Sequence, residues 1–381
     1  MSKIKVVLLQ EVLAPYRVPL FNEISKDENI ELTVLVLAKY TSNKKEWKDI
    51  ELNTEFEKIY LKGIHIERSK FRYFHFNIDL YYQILNINPD VIIIGGFYFA
   101  SLAVILLNKF IREKIIIWSE ATKYTEINIT NIKKNIRKYI LKNTNTSICS
   151  GSLAVEYLKE LNGNKKKLNS FIAYNSVDVE SLKYSLKLEA NNLNKEFKNG
   201  FPKNNILFIG QLIDRKAIKE TIEIFEEIDS NNNDIGLIIV GNGPMKNELE
   251  KYCEQKKLKV YFEGFISQDD IIKYFKIADL FILLSKYDCN PLVIMEALSC
   301  GLPIITSKEV GNSPEFVIDD FNGYCVERDN YQDVSDKILR IINNEDIKKK
   351  FGLNSLKLSD KVNHKATATR FIEAINYTYT N

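Results

Sequence analysis

The stretch from Ser285 to Ser307, SKYDCNPLVIMEALSCGLPIITS, contains residue types typical of an anion-binding site. It follows an apolar run, Leu280 to Leu284, that reads as a buried strand. Asn290 is a favourable N-cap and Pro291 suits the first helical position, so the spacing predicts a helix that begins there and stops at Gly301. Ligands of parallel sheets bind at the carboxyl ends of the strands, which is where this helix would begin.

Four residues around this helix start could contact a ligand. The backbone amides of Leu292 and Val293 would form a phosphate cradle, with the positive end of the helix behind them. Glu296 in the second turn could accept hydrogen bonds from ribose hydroxyls, and Asp288 before the helix could hold sugar hydroxyls. A capped helix with one exposed glutamate is the alternative interpretation.

Two further loops follow predicted strands. GQLIDRKA, Gly210 to Ala217, comes after Ile206 to Ile209, and its Arg215 and Lys216 could meet phosphates. GNGP, Gly241 to Pro244, follows another apolar run, and its glycines permit close approach of the backbone to a ligand. Each loop also has an ordinary interpretation, since basic loop residues are usually solvated and paired glycines make common turns.

Positioning these loops requires a parallel sheet. Short β-branched runs alternate with longer helical patterns along the whole chain, a pattern typical of α/β proteins. We therefore predict two tandem, doubly wound, Rossmann-like domains that face a cleft. The predicted boundaries are 1–182 for the amino-terminal domain, 183–205 for a polar linker, 206–360 for the carboxyl-terminal domain, and 361–381 for a final helix with no assigned docking partner.

Composition excludes several classes of protein. The 381 residues are 45% hydrophobic and 27% charged with a net charge of +3, which argues against disorder and against a strongly basic nucleic-acid-binding protein. The five cysteines are widely spaced and indicate neither a disulfide framework nor a zinc site. The uncharged stretch Val91 to Leu107 is broken by Gly95 and Gly96 and predicts a buried strand, a turn and a buried helix. We expect a cytoplasmic protein without a secretory signal.

The three loops together resemble glycosyltransferase family 4, whose members are retaining enzymes of the GT-B fold. The matching segments in this chain are GQLIDRKA, IIVGNGPM, VYFEGFIS, ADLFILLS, DCNPLVIMEALSCGLPIITS and VGNSPEFV. Upstream, PYRVPLFNEI, PDVIIIGG and YNSVD extend the resemblance over nearly all of the chain.

The resemblance implies transfer of a sugar from a nucleotide diphosphate donor, with retention and without a metal or other cofactor. By the family pattern Glu296 would bind the donor ribose, Asp288 the transferred sugar, and Lys216, assisted by Arg215, the diphosphate. The predicted donor site also includes Gly210, Gln211, Gly241, Asn290, Pro291, Leu292 and Val293. Glu120 would orient the donor sugar or the acceptor, a role held by a histidine in many relatives, with a solvated loop carboxylate as the alternative.

The chain departs from the family pattern at several positions. Gln211 stands where an arginine is common, Ala217 replaces a glycine, and Asp288 is one methylene shorter than the usual glutamate. The amino-terminal glycine loop is replaced by LAPYRVPLF, from which Arg17 could reach the cleft. These departures bear on donor identity. His65, His75 and His364 match no motif, and no role is predicted for them.

The first 180 residues carry 26 Lys and Arg against 20 Asp and Glu. Two segments, ERSKFRYFHF (Glu67 to Phe76) and KKNIRKYILK (Lys133 to Lys142), mix cations with apolar residues and would suit the anionic inner face of the cell membrane. A solvated helix face and a core-packed aromatic loop explain them equally well.

The leading hypothesis is therefore a retaining glycosyltransferase that uses a uridine diphosphate sugar to extend a glycan or lipid-linked glycan in the synthesis of a surface polysaccharide such as a capsule or lipopolysaccharide. Two alternatives remain open. One is a catalytically silent partner subunit that binds a sugar nucleotide, and the other is a GT-B-fold nucleotide-sugar 2-epimerase. A dehydrogenase is disfavoured because neither half carries GxGxxG after its first strand.

Overall fold

Two compact units make up the chain. A computed structural model describes residues 2–40, 52–69, 72–163, 168–192, 195–229, 234–267 and 270–381. The first unit comprises Met1–Ser176 together with His364–Asn381, and the second unit is Val177–Asn363. Each unit is built on its own parallel sheet, as the alternation of apolar runs and helices predicts.

The first unit contains a seven-stranded parallel sheet with the order β3-β2-β1-β6-β7-β8-β9. Its central strands are apolar on both faces because helices cover both sides. The strand order reverses between β1 and β6, so the loops after these two strands diverge and leave a crevice at their carboxyl ends. The strands of this sheet are β1 (Ile4–Gln10), β2 (Ile30–Val36), β3 (Glu57–Tyr60), β6 (Val91–Ile94), β7 (Lys114–Ser119), β8 (Thr146–Cys149) and β9 (Asn169–Ile172).

Within the described ranges, an antiparallel hairpin and six α-helices complete the first unit. The hairpin consists of β4 (Gly63–Ser69) and β5 (Arg72–Asn77). Lys70 and Phe71, within the predicted aromatic and basic segment, lie outside the described residues. The helices are α1 (Val18–Ser25), α2 (Leu80–Ile87), α3 (Phe99–Ile111), α4 (Asn131–Lys142), α5 (Ser152–Asn162) and α15 (His364–Thr380).

The stretch Val91 to Leu107 forms β6, a turn and most of α3, as predicted, although α3 is only partly buried. Leu106 is 43% exposed and Phe110 is 84% exposed. No helix in the described ranges combines the length and the apolar character needed to traverse a bilayer.

The final helix, α15, belongs to the core of the first unit. The ring of Phe371 packs edge-on against Trp118 of β7, with 5.0 Å between centroids. The Thr378 hydroxyl donates a hydrogen bond to Thr146 Oγ1 over 2.8 Å. This assigns a docking partner to a helix for which sequence reasoning found none.

The second unit contains a six-stranded parallel sheet with the order β12-β11-β10-β13-β14-β15, which reverses between β10 and β13. Its strands are β10 (Asn204–Ile209), β11 (Ile235–Val240), β12 (Val260–Gly264), β13 (Leu280–Leu283), β14 (Ile304–Ser307) and β15 (Gly323–Val326). Its helices are α6 (Val179–Asn192), α7 (Lys195–Asn199), α8 (Ile218–Asp229), α9 (Lys246–Lys256), α10 (Ile271–Ile277), α11 (Leu292–Ser299), α12 (Ser313–Phe316), α13 (Tyr331–Ile342) and α14 (Glu345–Ser359).

The segment 183–205 differs from the predicted polar linker. It contains most of α6, all of α7 and the start of β10, and it lies within the second unit. The ring of Phe197 packs against Phe201 and against Tyr274 of α10, each at a centroid distance of 5.4 Å. A few aromatic anchors thus attach a stretch whose Asn- and Lys-rich composition indicated a loop.

Candidate functional site

The strand-order reversal of the second unit brings three of the predicted site residues together. Arg215 and Lys216 follow β10, and Asp288 follows the adjacent strand β13. Loops that leave neighbouring parallel strands at such a reversal form the usual ligand crevice of doubly wound sheets. The two segments chosen from sequence therefore meet at one edge of one sheet.

Lys216 and Asp288 form a short ion pair at this edge. The Lys216 ammonium donates to Asp288 Oδ2 over 2.5 Å, and both side chains are largely withdrawn from solvent. A guanidinium nitrogen of Arg215 lies 3.2 Å from the same oxygen and also donates to the carbonyl of Tyr287. Two cations thus converge on one carboxylate, and the cluster carries a net positive charge.

A second set of contacts ties the same two loops together. Lys286 Nζ lies 2.6 Å from Asp214 Oδ1 and 2.9 Å from Glu220 Oε1. The backbone amide of Lys286 donates to the carbonyl of Arg215. Sequence reasoning missed this network because nothing in the spacing of the two segments indicates that they cross-link. Its effect is to fix the loop that holds Lys216 against the loop that holds Asp288.

Helix α11 begins one residue later than predicted. Pro291 occupies the N-cap position and Leu292 the first helical position, and the helix has no side-chain cap. The sequence instead predicts Asn290 at the N-cap position and Pro291 at the first helical position. Proline has no N–H of its own to bond, and its fixed φ also fits the extended N-cap geometry seen here, φ −68° and ψ 123°.

The start of α11 retains the expected donors. Ile294 donates to the carbonyl of Pro291 over 3.3 Å, so the amides of Leu292 and Val293 precede the first turn's hydrogen bond. Such amides lack intrahelical acceptors and carry the positive end of the helix dipole. An anion placed there would therefore be stabilised, and this is the property on which the prediction of a phosphate cradle depends.

Glu296 is one turn into α11 and is partly buried. Within the described residues no ion pair involves its carboxylate, and burial raises the pKa of Glu296 to about 7. A carboxyl group with such a pKa changes its protonation state near neutral pH.

The end of α11 also differs slightly from the prediction. The sequence predicts that the helix stops at Gly301, whereas α11 ends at Ser299 with Cys300 as its C-cap.

The loop glycines permit contact between loops. An added Cβ on Gly241 would lie 1.9 Å from the carbonyl oxygen of Gly210. One on Gly311, in VGNSPEFV, would lie 1.7 Å from the carbonyl oxygen of Cys289, and the Gly311 amide donates to the Asp288 carbonyl. Gly241 was expected to permit the close approach of a ligand, whereas in the structure it is the backbone of Gly210 in the neighbouring loop that lies close to it.

The structure shows the conformation or exposure of two residues at which the chain departs from the family pattern. Ala217 adopts φ +51°, a left-handed conformation that favours glycine, and it ends the short 3₁₀ turn formed by Asp214–Lys216. Gln211 is exposed between β10 and that turn. At Ala217 the chain therefore places a methyl group where glycine would be unstrained.

The first unit has its own polar cluster at the carboxyl ends of β1 and β7. Arg17 donates to Glu120 over 2.8 Å and to Gln10 over 2.7 Å, and its guanidinium lies 4.3 Å from the centroid of the Trp118 ring. Gln10 ends β1, and Glu120 follows β7. The structure thus pairs Arg17 and Glu120, two residues that sequence reasoning considered separately.

His65 and His75, given no role from sequence, are cross-strand neighbours in the β4–β5 hairpin, with 2.9 Å between their Nδ1 atoms. The other ring nitrogen of His75 lies 3.3 Å from Glu11, which directly follows β1. The two histidines meet because of the register of the hairpin, which the sequence pattern alone does not indicate. In the described ranges, no three His, Cys, Asp or Glu side chains form a group that could hold a metal ion.

Comparisons with known proteins agree with this geometry. Residues 191–358 match the family model for glycosyl transferases group 1. The chain is 26% identical to the poly(ribitol-phosphate) alpha-N-acetylglucosaminyltransferase of Staphylococcus aureus over 58% of this chain and 42% of that enzyme. It is 29% identical to the UDP-Gal:alpha-D-GlcNAc-diphosphoundecaprenol alpha-1,3-galactosyltransferase of Escherichia coli over 57% of this chain and 54% of that enzyme. The chain thus spans about half the length of these two relatives.

A solved structure covers the whole chain. The Anabaena protein HepE, determined in complex with UDP, superposes with a TM-score of 0.77 over 99% of this chain and 100% of its own, at 15% identity. That likeness confirms the predicted α/β fold of two Rossmann-like domains of the GT-B type. The segment 191–358, which holds all the predicted donor-site residues, matches glycosyl transferases group 1.

Proposed function

We propose that this protein is a glycosyltransferase that moves a sugar from a nucleotide diphosphate donor to an acceptor hydroxyl, with retention of configuration and without a metal ion. One observation carries the proposal. Arg215 and Lys216 converge on Asp288 at the strand-order reversal of the second unit, beside the start of α11. The cluster combines excess positive charge with a carboxylate that can accept hydrogen bonds from hydroxyl groups.

The chemistry requires stabilisation of a departing diphosphate. In our proposal Lys216 and Arg215 exchange their contacts with Asp288 for the diphosphate oxygens, and the amides of Leu292 and Val293 add the field of the helix. Asp288, released from the pair, accepts hydrogen bonds from the transferred sugar. Glu296 does the same for the ribose. This assignment uses the charges already assembled and calls for no cation.

The bond changes follow from retention. The bond between the anomeric carbon and the diphosphate oxygen breaks, and the acceptor oxygen bonds to the same face of that carbon. The acceptor proton passes to the leaving phosphate, so no protein nucleophile takes part. In the first unit, Glu120, held by Arg17, would orient the donor sugar or the acceptor.

The relatives support a choice of donor and acceptor. The Escherichia coli relative is named for a UDP-galactose donor and a diphosphoundecaprenol-linked acceptor, the Staphylococcus aureus relative for poly(ribitol-phosphate), and HepE was determined with UDP. We therefore propose a uridine diphosphate sugar as donor and a surface glycan or lipid-linked glycan as acceptor, with the reaction at the cytoplasmic face of the membrane.

Thermal stabilisation of the purified protein by UDP, GDP, ADP and their sugars, in buffer containing EDTA, tests the donor site. A ligand at 100 times its dissociation constant should stabilise by about 2.7 kcal/mol. We expect a response to the uridine nucleotide, loss of that response in Glu296→Ala and Lys216→Ala, and transfer to an acceptor glycan with retention by NMR. Absence of any nucleotide response would contradict the proposal.

The same assay separates the two alternative functions. A silent partner subunit would bind the nucleotide and transfer nothing to any acceptor. A 2-epimerase would convert the donor sugar with no acceptor present. Either result would replace the transferase assignment while leaving the nucleotide site in place.

A further inference from the structure

The first unit contains an apolar pocket outside its polar cluster. The pocket lies between β5, α2 and α3, has a volume of about 220 Å³, and is lined mainly by apolar side chains, among them Phe76, Leu80, Phe99, Ala103 and Leu106. A cavity of roughly 150 Å³ lined by such side chains is large enough for benzene. The space therefore suits a hydrocarbon group.

The pocket continues into an exposed apolar stripe. Leu102, Leu106 and Phe110 follow one another at four-residue intervals on one face of α3. Leu106 lines the pocket at 43% exposure, whereas Phe110, one turn further on, is 84% exposed. Exposed apolar stripes continuous with a pocket mark contact with an apolar partner.

The opposite part of the lining is polar. His75 and Asn77 are both lining residues. His75 is buried and contacts Glu11, which places this part of the pocket beside the carboxyl end of β1. Oδ1 of Asn77 is buried, with no hydrogen-bond partner in the described part of the chain. A ligand that extends from the stripe towards His75 thus passes from an apolar to a polar environment.

Positive charges flank the exposed part of the stripe. Lys109 and Arg112 are exposed at the end of α3, and the Lys109 ammonium lies 5.6 Å from the centroid of the Tyr139 ring on α4. Exposed lysines of α4, Lys133 and Lys134, extend the charge. Among the described residues, none of these four cations takes part in an ion pair. Unneutralised cations beside exposed apolar side chains are complementary to an anionic lipid surface.

We infer that this pocket binds the hydrocarbon chain of a lipid-linked acceptor, drawn from an anionic membrane that α3 and α4 contact. The inference rests on the proposed function, and it assigns the acceptor's hydrophobic part to a defined site in the first unit. The polar head of the acceptor then lies towards His75 and Glu11, at the edge of the sheet that also carries Arg17 and Glu120.

The test uses 11-(dansylamino)undecanoic acid as a fluorescent hydrocarbon probe. We expect saturable binding to the native protein, and binding weaker by about tenfold in Ala103→Phe, which fills the pocket. Leu106→Asn should weaken binding as well. Leu85→Asn is the matched control, because Leu85 is an exposed leucine of α2, at 55%, that does not line the pocket. Unchanged binding to Ala103→Phe, or none to the native protein, would overturn the inference.

Vesicle sedimentation tests whether the hydrocarbon chain comes from an anionic membrane. The protein should sediment with vesicles of phosphatidylcholine and phosphatidylglycerol and much less with phosphatidylcholine alone. Lys133→Glu combined with Lys134→Glu should reduce sedimentation while leaving probe binding intact. If light scattering shows a dimer that leaves the probe no access, the face is an interface between copies and the inference is wrong. Nucleotide stabilisation, measured on the same variants, reports separately on the proposed function.

Discussion

Lys216 Nζ lies 2.5 Å from Asp288 Oδ2, although 72 residues separate the two in the chain. Both side chains are mostly buried, with exposures of 10% and 14%. The contact joins the loop after β10 to the loop after β13, and so it contributes to stability as well as to the proposed chemistry. Breaking such a pair leaves an uncompensated charge in a poorly solvated position.

Asp288→Asn should therefore lower the free energy of unfolding by about 1 to 3 kcal/mol, because Lys216 and Arg215 lose their common partner. Urea unfolding at pH 7 measures the change. Glu327→Gln is the control, since the pair between Lys308 and Glu327 is exposed and its loss should cost less than about 1 kcal/mol. Equal effects for the two variants would contradict the structural importance of the Lys216–Asp288 pair.

Glu296 should make stability fall as the pH rises. Its pKa is about 7 in the folded protein against 4.5 for a free carboxyl group, so between these values the folded state binds more protons than the unfolded state. Stability should decline by up to roughly 3 kcal/mol from pH 4.5 to pH 7. Glu296→Gln should flatten this decline in thermal unfolding measured across that range.

The control for this pH dependence is Glu254→Gln, at an exposed position of α9. It should leave the slope as in the native protein. A Glu296→Gln variant with an unchanged slope would show that the Glu296 carboxyl group is not the source of the decline.

Ala217→Gly should change the stability of the protein by less than about 0.5 kcal/mol. Ala217 has φ +51°, where a Cβ is strained by roughly 1 kcal/mol, and the relief of that strain is offset by the greater freedom of glycine in the unfolded chain and by the loss of a buried methyl group. The midpoint of urea unfolding should stay nearly unchanged. Ala297→Gly, the same change inside α11, should instead destabilise by at least about 1 kcal/mol, since the helix interior disfavours glycine.

Glu120→Gln should slow transfer without weakening nucleotide binding, because Glu120 belongs to the first unit and the proposed nucleotide site to the second. We expect kcat/KM to fall by about tenfold or more while thermal stabilisation by the nucleotide is retained. Glu126→Gln is a close match, as Glu126 has a similar exposure and pairs with Arg137 at 2.8 Å in the same unit. It should change the rate less than about twofold, and a similar loss in both variants would remove Glu120 from the site.

Much of this arrangement could be predicted from the sequence because parallel sheets impose strong patterns. Continuous apolar runs located β10 and β13, and the rule that ligands bind at the carboxyl ends of strands placed Lys216 near Asp288. The direct pairing of these two residues was not predictable, since both were assigned to ligand groups. Sequence patterns indicate which loops lie close together, but they do not indicate which side chains pair with each other when no ligand is bound.

Other features depend on contacts between distant parts of the chain. The His65–His75 contact requires the hairpin register, and the Lys286 network requires two loops to be folded against each other. The Asn- and Lys-rich composition of residues 183–205 predicts a linker, because the sequence does not reveal that a few aromatic residues such as Phe197 pack against the second unit. Each of these depends on tertiary packing, which propensity and periodicity do not encode.

The position of α15 has a consequence for the order in which the chain folds during synthesis. The first unit needs Phe371 against Trp118, yet about 190 residues of the second unit are made between Ser176 and His364. At roughly 5 to 20 residues per second, a ribosome takes about 10 to 40 s to cross that interval. The second unit is continuous and can fold as it emerges, whereas the first sheet must wait, with Trp118 lacking its contact with Phe371, for α15 to leave the ribosome.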